Sequence, residues 1–90
     1  MKLVFFGTPN FAIPGLKALH NSKHDILAIV TNPDKKSGRG LKVNSSPVKS
    51  FGKTLGYKII QPNKLSDAEF ISDIQEINPD IFVLIAFKIL

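Results

Sequence analysis

Two stretches of this chain, Leu3-Val4-Phe5-Phe6 and Ile81-Phe82-Val83-Leu84-Ile85-Ala86, are apolar at every position. A strand with one wet face alternates apolar and polar residues, whereas a strand covered by helices on both faces reads as a continuous apolar run. The two runs therefore call for a parallel sheet sandwiched between helices. Ile26 to Thr31 supplies a second strand of the same kind, and Tyr57 to Ile60 a short third, stopped by Gln61-Pro62.

The intervening segments carry helix signals. Pro14 sits in the first turn of a helix starting near Ile13, where its missing amide proton costs nothing. Phe11 and Ala12 form an irregular lead-in. Ala12, Leu16 and Leu19 share one side of that helix, Lys17, His20 and Asn21 face elsewhere, and it ends near Ser22. Ser46-Pro47 reads as an N-cap followed by proline at the first helical position, with Val48, Phe51 and Leu55 as the buried stripe, Lys49 and Lys53 facing water, and Gly56 as the stop. Ser66 and Glu69 match a capping box that opens a third helix, whose apolar face is Phe70, Ile74 and Ile77 with Ile71 beside it, closed by Asn78-Pro79.

Strands alternating with helices imply an α/β, doubly wound, Rossmann-like and mostly parallel sheet, with the four predicted strands in the order 3-2-1-4. One face is expected to carry the first helix and the other face the later ones. The 90 residues suffice for one domain, 1–90, and no second. A fourth strand this apolar wants a neighbour on each edge. With the chain stopping there, self-association through Ile81 to Ile85 is expected.

Between the second strand and the second helix lies a long segment, Thr31 to Ser46, read as a basic loop without secondary structure. Residues 31–58 hold seven basic residues and one acidic one, while residues 59–90 hold two and five. The positive charge is thus local, which points to a phosphate-rich partner contacted at one place and not to a coat over the whole chain. Lys35, Lys36 and Lys42 surround Arg39, and Gly38 and Gly40 flank it with backbone that tolerates positive φ and close approach. Lysines here give sequence-blind, salt-dependent affinity, and the arginine can reach one group with two bonds. The competing reading is a solvated connector. No aromatic residue lies within the loop to stack on bases, which favours an auxiliary contact over a self-sufficient single-strand module.

Other functions fail on particular residues. Gly52-Lys53-Thr54 ends like a phosphate-binding loop, but Pro47 stands where its first glycine belongs and the triplet lies inside a predicted helix. The turn after the first strand has only Gly7, with Pro9 and Phe11 where a dinucleotide pyrophosphate needs bare backbone. His20 and His24 are four apart, yet His24 lies past the helix end and no suitable carboxylate joins them, so they read as surface residues and no metal is expected. With no cysteine there is no disulfide framework. Gly7-Thr8-Pro9-Asn10 cuts the N-terminal apolar run too soon for a signal peptide, and no run approaches a membrane span. A cytoplasmic protein is expected.

Gly7-Thr8-Pro9-Asn10-Phe11-Ala12, Pro33-Asp34 with Gly38-Arg39-Gly40, Ser46-Pro47-Val48-Lys49 and Gln61-Pro62, in that order and at these spacings, resemble the methionyl-tRNA formyltransferase family over essentially the whole chain. The resemblance implies an enzyme that moves a formyl group from 10-formyltetrahydrofolate to the α-amino group of methionine on initiator tRNA. It implies that the loop after the second strand contacts the acceptor arm, with Arg39 as its key arginine and Gly38, Gly40, Lys35, Lys36 and Lys42 around it. It further implies that Ala86, Phe87, Lys88, Ile89 and Leu90 begin the wall of the folate pocket, where ligands sit in open α/β sheets. The family's catalytic Asn, His and Asp fall beyond the fourth strand, so none of these 90 residues is catalytic and the chain reads as a truncated N-terminal segment, inactive alone. The alternative is a stand-alone RNA-binding module on the same scaffold. An Asn-x-His-x-Ser-Leu-Leu-Pro run soon after Leu90 in a longer reading frame distinguishes the first from the second.

Overall fold

The computed structural model describes residues 1–37 and 42–87. Four strands, β1 (Lys2–Gly7), β2 (Asp25–Val30), β5 (Ile59–Ile60) and β6 (Ile81–Ile85), form one parallel sheet ordered β5-β2-β1-β6. This is the order 3-2-1-4 in the numbering of the four predicted strands. Between β2 and β5 come two further strands, β3 (Lys35–Ser37) and β4 (Lys42–Asn44), paired antiparallel as a separate ribbon. The helices are α1 (Ile13–His20), preceded by a 3-10 turn at Asn10–Ala12, α2 (Pro47–Thr54) and α3 (Ala68–Ile77).

β1 is central, as its unbroken apolar run requires. It pairs with β2 from Lys2↔Asp25 to Phe6↔Val30, with an irregularity at Leu3/Val4, and with β6 from Leu3↔Ile81 to Gly7↔Ile85. The register against β6 is pinned at its start, where the Lys2 amide donates to the Asp80 carboxylate and the Asp80 amide donates to the Lys2 carbonyl, each at 2.8 Å.

Alternate residues of β1 feed two separate cores, and in β2 the irregularity opposite Leu3/Val4 brings Ile26 and Ile29, three apart, to the same side. Leu3, Phe5, Ile26 and Ile29 pack with Ala12 and Leu16 at α1 and with Val48 of α2. On the other side Val4, Phe6, Ala28, Val30 and Ile60 pack with Phe70 of α3. The expected division, the first helix on one face and both later helices on the other, is therefore corrected: α1 and α2 share a face. Crossover handedness is the cause. The connections β1 to β2 and β2 to β5 step in the same direction across the sheet, so right-handed crossovers put both helices on one side; β5 to β6 steps back, and α3 lands opposite.

Local signals held in part. Ser46 caps α2, its hydroxyl accepting from the Lys49 amide at 3.0 Å, and Pro47 opens the helix. Gly56 adopts φ +84 just past the end, a conformation that favours glycine. Asn78 closes α3 in the left-handed region at φ 51. The Ser66/Glu69 capping box does not form. Asp67 occupies the N-cap instead, because residues 64–67 make a turn in which the Asp67 amide donates to the Lys64 carbonyl and the Asp67 carboxylate accepts from the Lys64 amide.

Among the described residues β6 has β1 as its one strand neighbour, at the edge of the sheet. Phe82 and Leu84 are 51% and 59% exposed, so the double cover expected of so apolar a strand is missing.

Candidate functional site

In an open parallel sheet the strand order reverses at a switch point, and ligands bind at the carboxyl ends of the strands there. Here the point lies between β1 and β6, whose carboxyl ends are neighbours through Gly7↔Ile85. Gly7 is the residue that lets them meet. A β-carbon on it would lie 2.7 Å from Phe5 Cε2, 3.1 Å from the β-carbon of Ala12 and 3.1 Å from the Ile85 carbonyl oxygen. None of these neighbours yields easily, since Phe5 and Ala12 are fully buried and the third is strand backbone. Gly7→Ala is expected to cost about 1–3 kcal/mol by overpacking, measured by urea denaturation; a loss too small to measure would show that β1 and β6 separate readily.

The turn after β1 leads into Asn10–Ala12, where Phe11, expected only as an irregular lead-in, stands 70% exposed at the mouth of the switch point. After β6, Ala86 takes φ 52, an uncommon left-handed backbone for a residue with a β-carbon. Phe87 turns its ring edge-on to Phe6, 5.2 Å between centroids, and so joins the core on the α3 side. Ala86 and Phe87 thus sit at the switch point, while Lys88, Ile89 and Leu90 lie outside the described residues.

The basic segment is not a structureless loop. Lys35 pairs with Asn44, Lys36 with Val43 and Ser37 with Lys42, so that Lys35 and Lys36 lie on β3 and Lys42 on β4. Gly38, Arg39 and Gly40, together with Leu41, lie outside the described residues.

At the root of the ribbon the carboxyl ends of β1, β2 and β5 are joined by polar side chains. The Thr8 hydroxyl donates to the Asn32 side-chain oxygen. Thr31, fully buried, places its hydroxyl 2.6 Å from that of Ser46. The Val48 amide donates to the Thr8 carbonyl at 3.3 Å. Lys49 does not simply face water as expected: its ammonium donates to Asp34 Oδ2 at 2.6 Å, the two side chains being 17% and 26% exposed. Gln61 donates to Asp34 Oδ1 at 2.8 Å and to the Asn32 carbonyl at 3.0 Å.

The hydrogen bond from Lys49 first, and that from Gln61 second, hold the Asp34 carboxyl below the usual carboxylate range. For a depressed pKa the contribution to stability is fully present above the unfolded value of about 3.9 and is lost as pH falls through the lower folded value, so the Asp34 carboxylate stays ionised through the neutral range. Thr8, Asp34, Ser46, Lys49 and Gln61 all belong to the short motifs that carried the family resemblance. The signal was present in the sequence, but its meaning as one network was not.

His20 Nδ1 lies 2.5 Å from the Tyr57 hydroxyl with the rings edge-to-face, an exposed pairing remote in sequence. Among the described residues no three His, Cys, Asp or Glu side chains are grouped to hold a metal ion, and no helix is long and apolar enough to cross a membrane.

The formyl transferase family profile matches residues 1–90. The chain is 47% identical over 88 residues to the methionyl-tRNA formyltransferase of Caldanaerobacter subterraneus subsp. tengcongensis, 44% over 87 residues to that of Ruminiclostridium cellulolyticum and 45% over 87 residues to that of Clostridioides difficile. Each alignment covers 97% of this chain but 28% of the relative. A match over residues 1–90 establishes that the chain belongs to the formyl transferase family.

Proposed function

We propose that this chain is the N-terminal part of a cytoplasmic enzyme that transfers a formyl group from 10-formyltetrahydrofolate to the α-amino group of methionyl initiator tRNA. The observation that carries the reading is the basic ribbon leaving the carboxyl edge of the sheet beside the switch point, in a chain of this family. The ribbon, with Lys35, Lys36, Lys42 and Arg39 between Gly38 and Gly40, contacts the tRNA. Ala86, Phe87, Lys88, Ile89 and Leu90 begin the wall against which the folate co-substrate lies. Formyl transfer needs a base for the attacking amine and donors for the tetrahedral oxyanion, and the described residues present no such group of side chains; those groups come from the remainder of the enzyme.

Two measurements test the reading. In the full-length enzyme, Lys35→Ala and Lys36→Ala are expected to weaken binding of any tRNA and to lower the slope of log affinity against log salt by about one for each phosphate no longer neutralised. An unchanged slope would remove the ribbon from the tRNA interface. The 90-residue chain alone is expected to transfer no formyl group; turnover above background with both substrates would refute the assignment of the chemistry elsewhere.

The isolated chain also self-associates, through the open edge of β6. Phe82 and Leu84 are exposed there, and an apolar groove of about 250 Å³ lined by Phe6, Leu65, Phe70, Ile71, Ile74 and Phe82 runs beside them. Unpaired strand edges of this kind template further pairing. Sedimentation at high concentration is expected to show association that Leu84→Lys reduces; a strictly monomeric profile would contradict it.

A further inference from the structure

The bonds at the root of the ribbon come from three separate elements and meet on one carboxylate. Asp34 is the last residue before β3. Its Oδ2 accepts from Lys49, in the first turn of α2, and its Oδ1 from Gln61, just past β5. Gln61 also holds the Asn32 carbonyl two residues upstream of Asp34. The other root of the ribbon is tied as well: Ser46, two residues after β4, bonds to Thr31 at the end of β2 and accepts from the Lys49 amide.

A two-stranded ribbon is marginal by itself, so the direction in which this one leaves the sheet is set at its roots. A carboxylate engaged through both oxygens, once by an ammonium, is held by bonds roughly twice as strong as neutral ones. Pro33 stiffens the residue between the two anchored positions. Lys49, which by charge alone belongs with the phosphate-binding lysines, is committed to Asp34.

We propose that Asp34 and Gln61 are positioning residues: with Lys49 they form a clasp that fixes the direction of the β3–β4 ribbon, so that its lysines meet the phosphates of the polyanionic substrate without a search. The proposal rests on the reading of the ribbon as the tRNA contact. It runs opposite in sign to simple electrostatics. Removing the Asp34 charge makes the chain more positive, which by itself strengthens polyanion binding; releasing the clasp weakens it.

The test is steady-state formylation by the full-length enzyme carrying Asp34→Asn, which removes the charge, or Gln61→Leu, which removes the bond to the Oδ1 of the same carboxylate without changing net charge. Each is expected to raise KM for methionyl-tRNA by about tenfold, with kcat and the KM for the formyl donor near wild type. The salt slope should stay at the wild-type value, because the same lysines still neutralise the same phosphates. An unchanged or lower tRNA KM in Asp34→Asn overturns the proposal, as does a salt slope reduced by about one in Lys49→Met, which would make Lys49 a phosphate ligand. Should either variant lose thermal stability, amide hydrogen exchange well below the melting point decides the matter. Faster exchange at Ser37 and Lys42 with β1 unchanged supports the clasp, and unchanged exchange in the ribbon refutes it. Failure of the underlying tRNA reading shows separately, as an unchanged salt slope in Lys35→Ala and Lys36→Ala whatever the Asp34 variant does.

Discussion

Phe5→Ala is expected to destabilise the folded chain by about 3–5 kcal/mol, the usual cost of emptying a phenylalanine site in a core that cannot collapse around the loss. Phe5 is fully buried in the middle of the central strand, paired with Ile29 on one side and Val83 on the other. The core it serves is the one that α1 and α2 both cover. Strand backbone on two edges prevents its surroundings from moving inward, so the cavity term is retained. Domains hold roughly 5–15 kcal/mol in all, and this one change removes a large share of that. Urea denaturation followed by circular dichroism measures it, and a loss below about 1.5 kcal/mol would mean that the core repacks. Because the Phe5 ring lies where a β-carbon on Gly7 would go, the costs of Phe5→Leu and Gly7→Ala should not add.

In the full-length enzyme, Arg39→Ala is expected to cost about 1–3 kcal/mol in tRNA recognition and to erode the preference for initiator over elongator tRNA. On the proposed reading, lysines on the ribbon contribute charge to any tRNA. An arginine between two glycines contributes a planar fork, able to bond one group through two N–H donors, and discrimination comes from such geometry. Arg39→Lys keeps the charge and discards the fork, so it should resemble alanine in discrimination while retaining most of the salt dependence. Formylation kinetics of both variants on both tRNAs across a salt series is the measurement. Wild-type discrimination in both would make the ribbon a connector, leaving specificity to the rest of the enzyme.

The strands, their parallel arrangement and their order could be read directly from the sequence, because continuous apolar runs, Ser46-Pro47 and Asn78-Pro79 are contiguous signals that act within a few residues. The family could be read as well, since its motifs are short and ordered. The ribbon escaped because each of its strands is three residues long and charged, so no period was visible, and only the backbone pairing between them defines it. The Ser66/Glu69 box lost to Asp67 because a turn at residues 64–67 met the backbone's needs first. The helix faces followed from strand order combined with crossover handedness, a property of the whole sheet and of no single segment. Lys49 shows the limit most plainly. At its position in α2 it looks like a solvated lysine, and it becomes an ion-pair partner only because β5 and β2 are neighbours, bringing Gln61 and Asp34 to its side. Periodicity and capping are encoded locally, so the sequence by itself determined the four strands of the main sheet and the three helices. The site depends on which loops and helix termini meet at the carboxyl edge of that sheet, and that was decided only by the tertiary structure, where burial and handedness select one arrangement of the same elements.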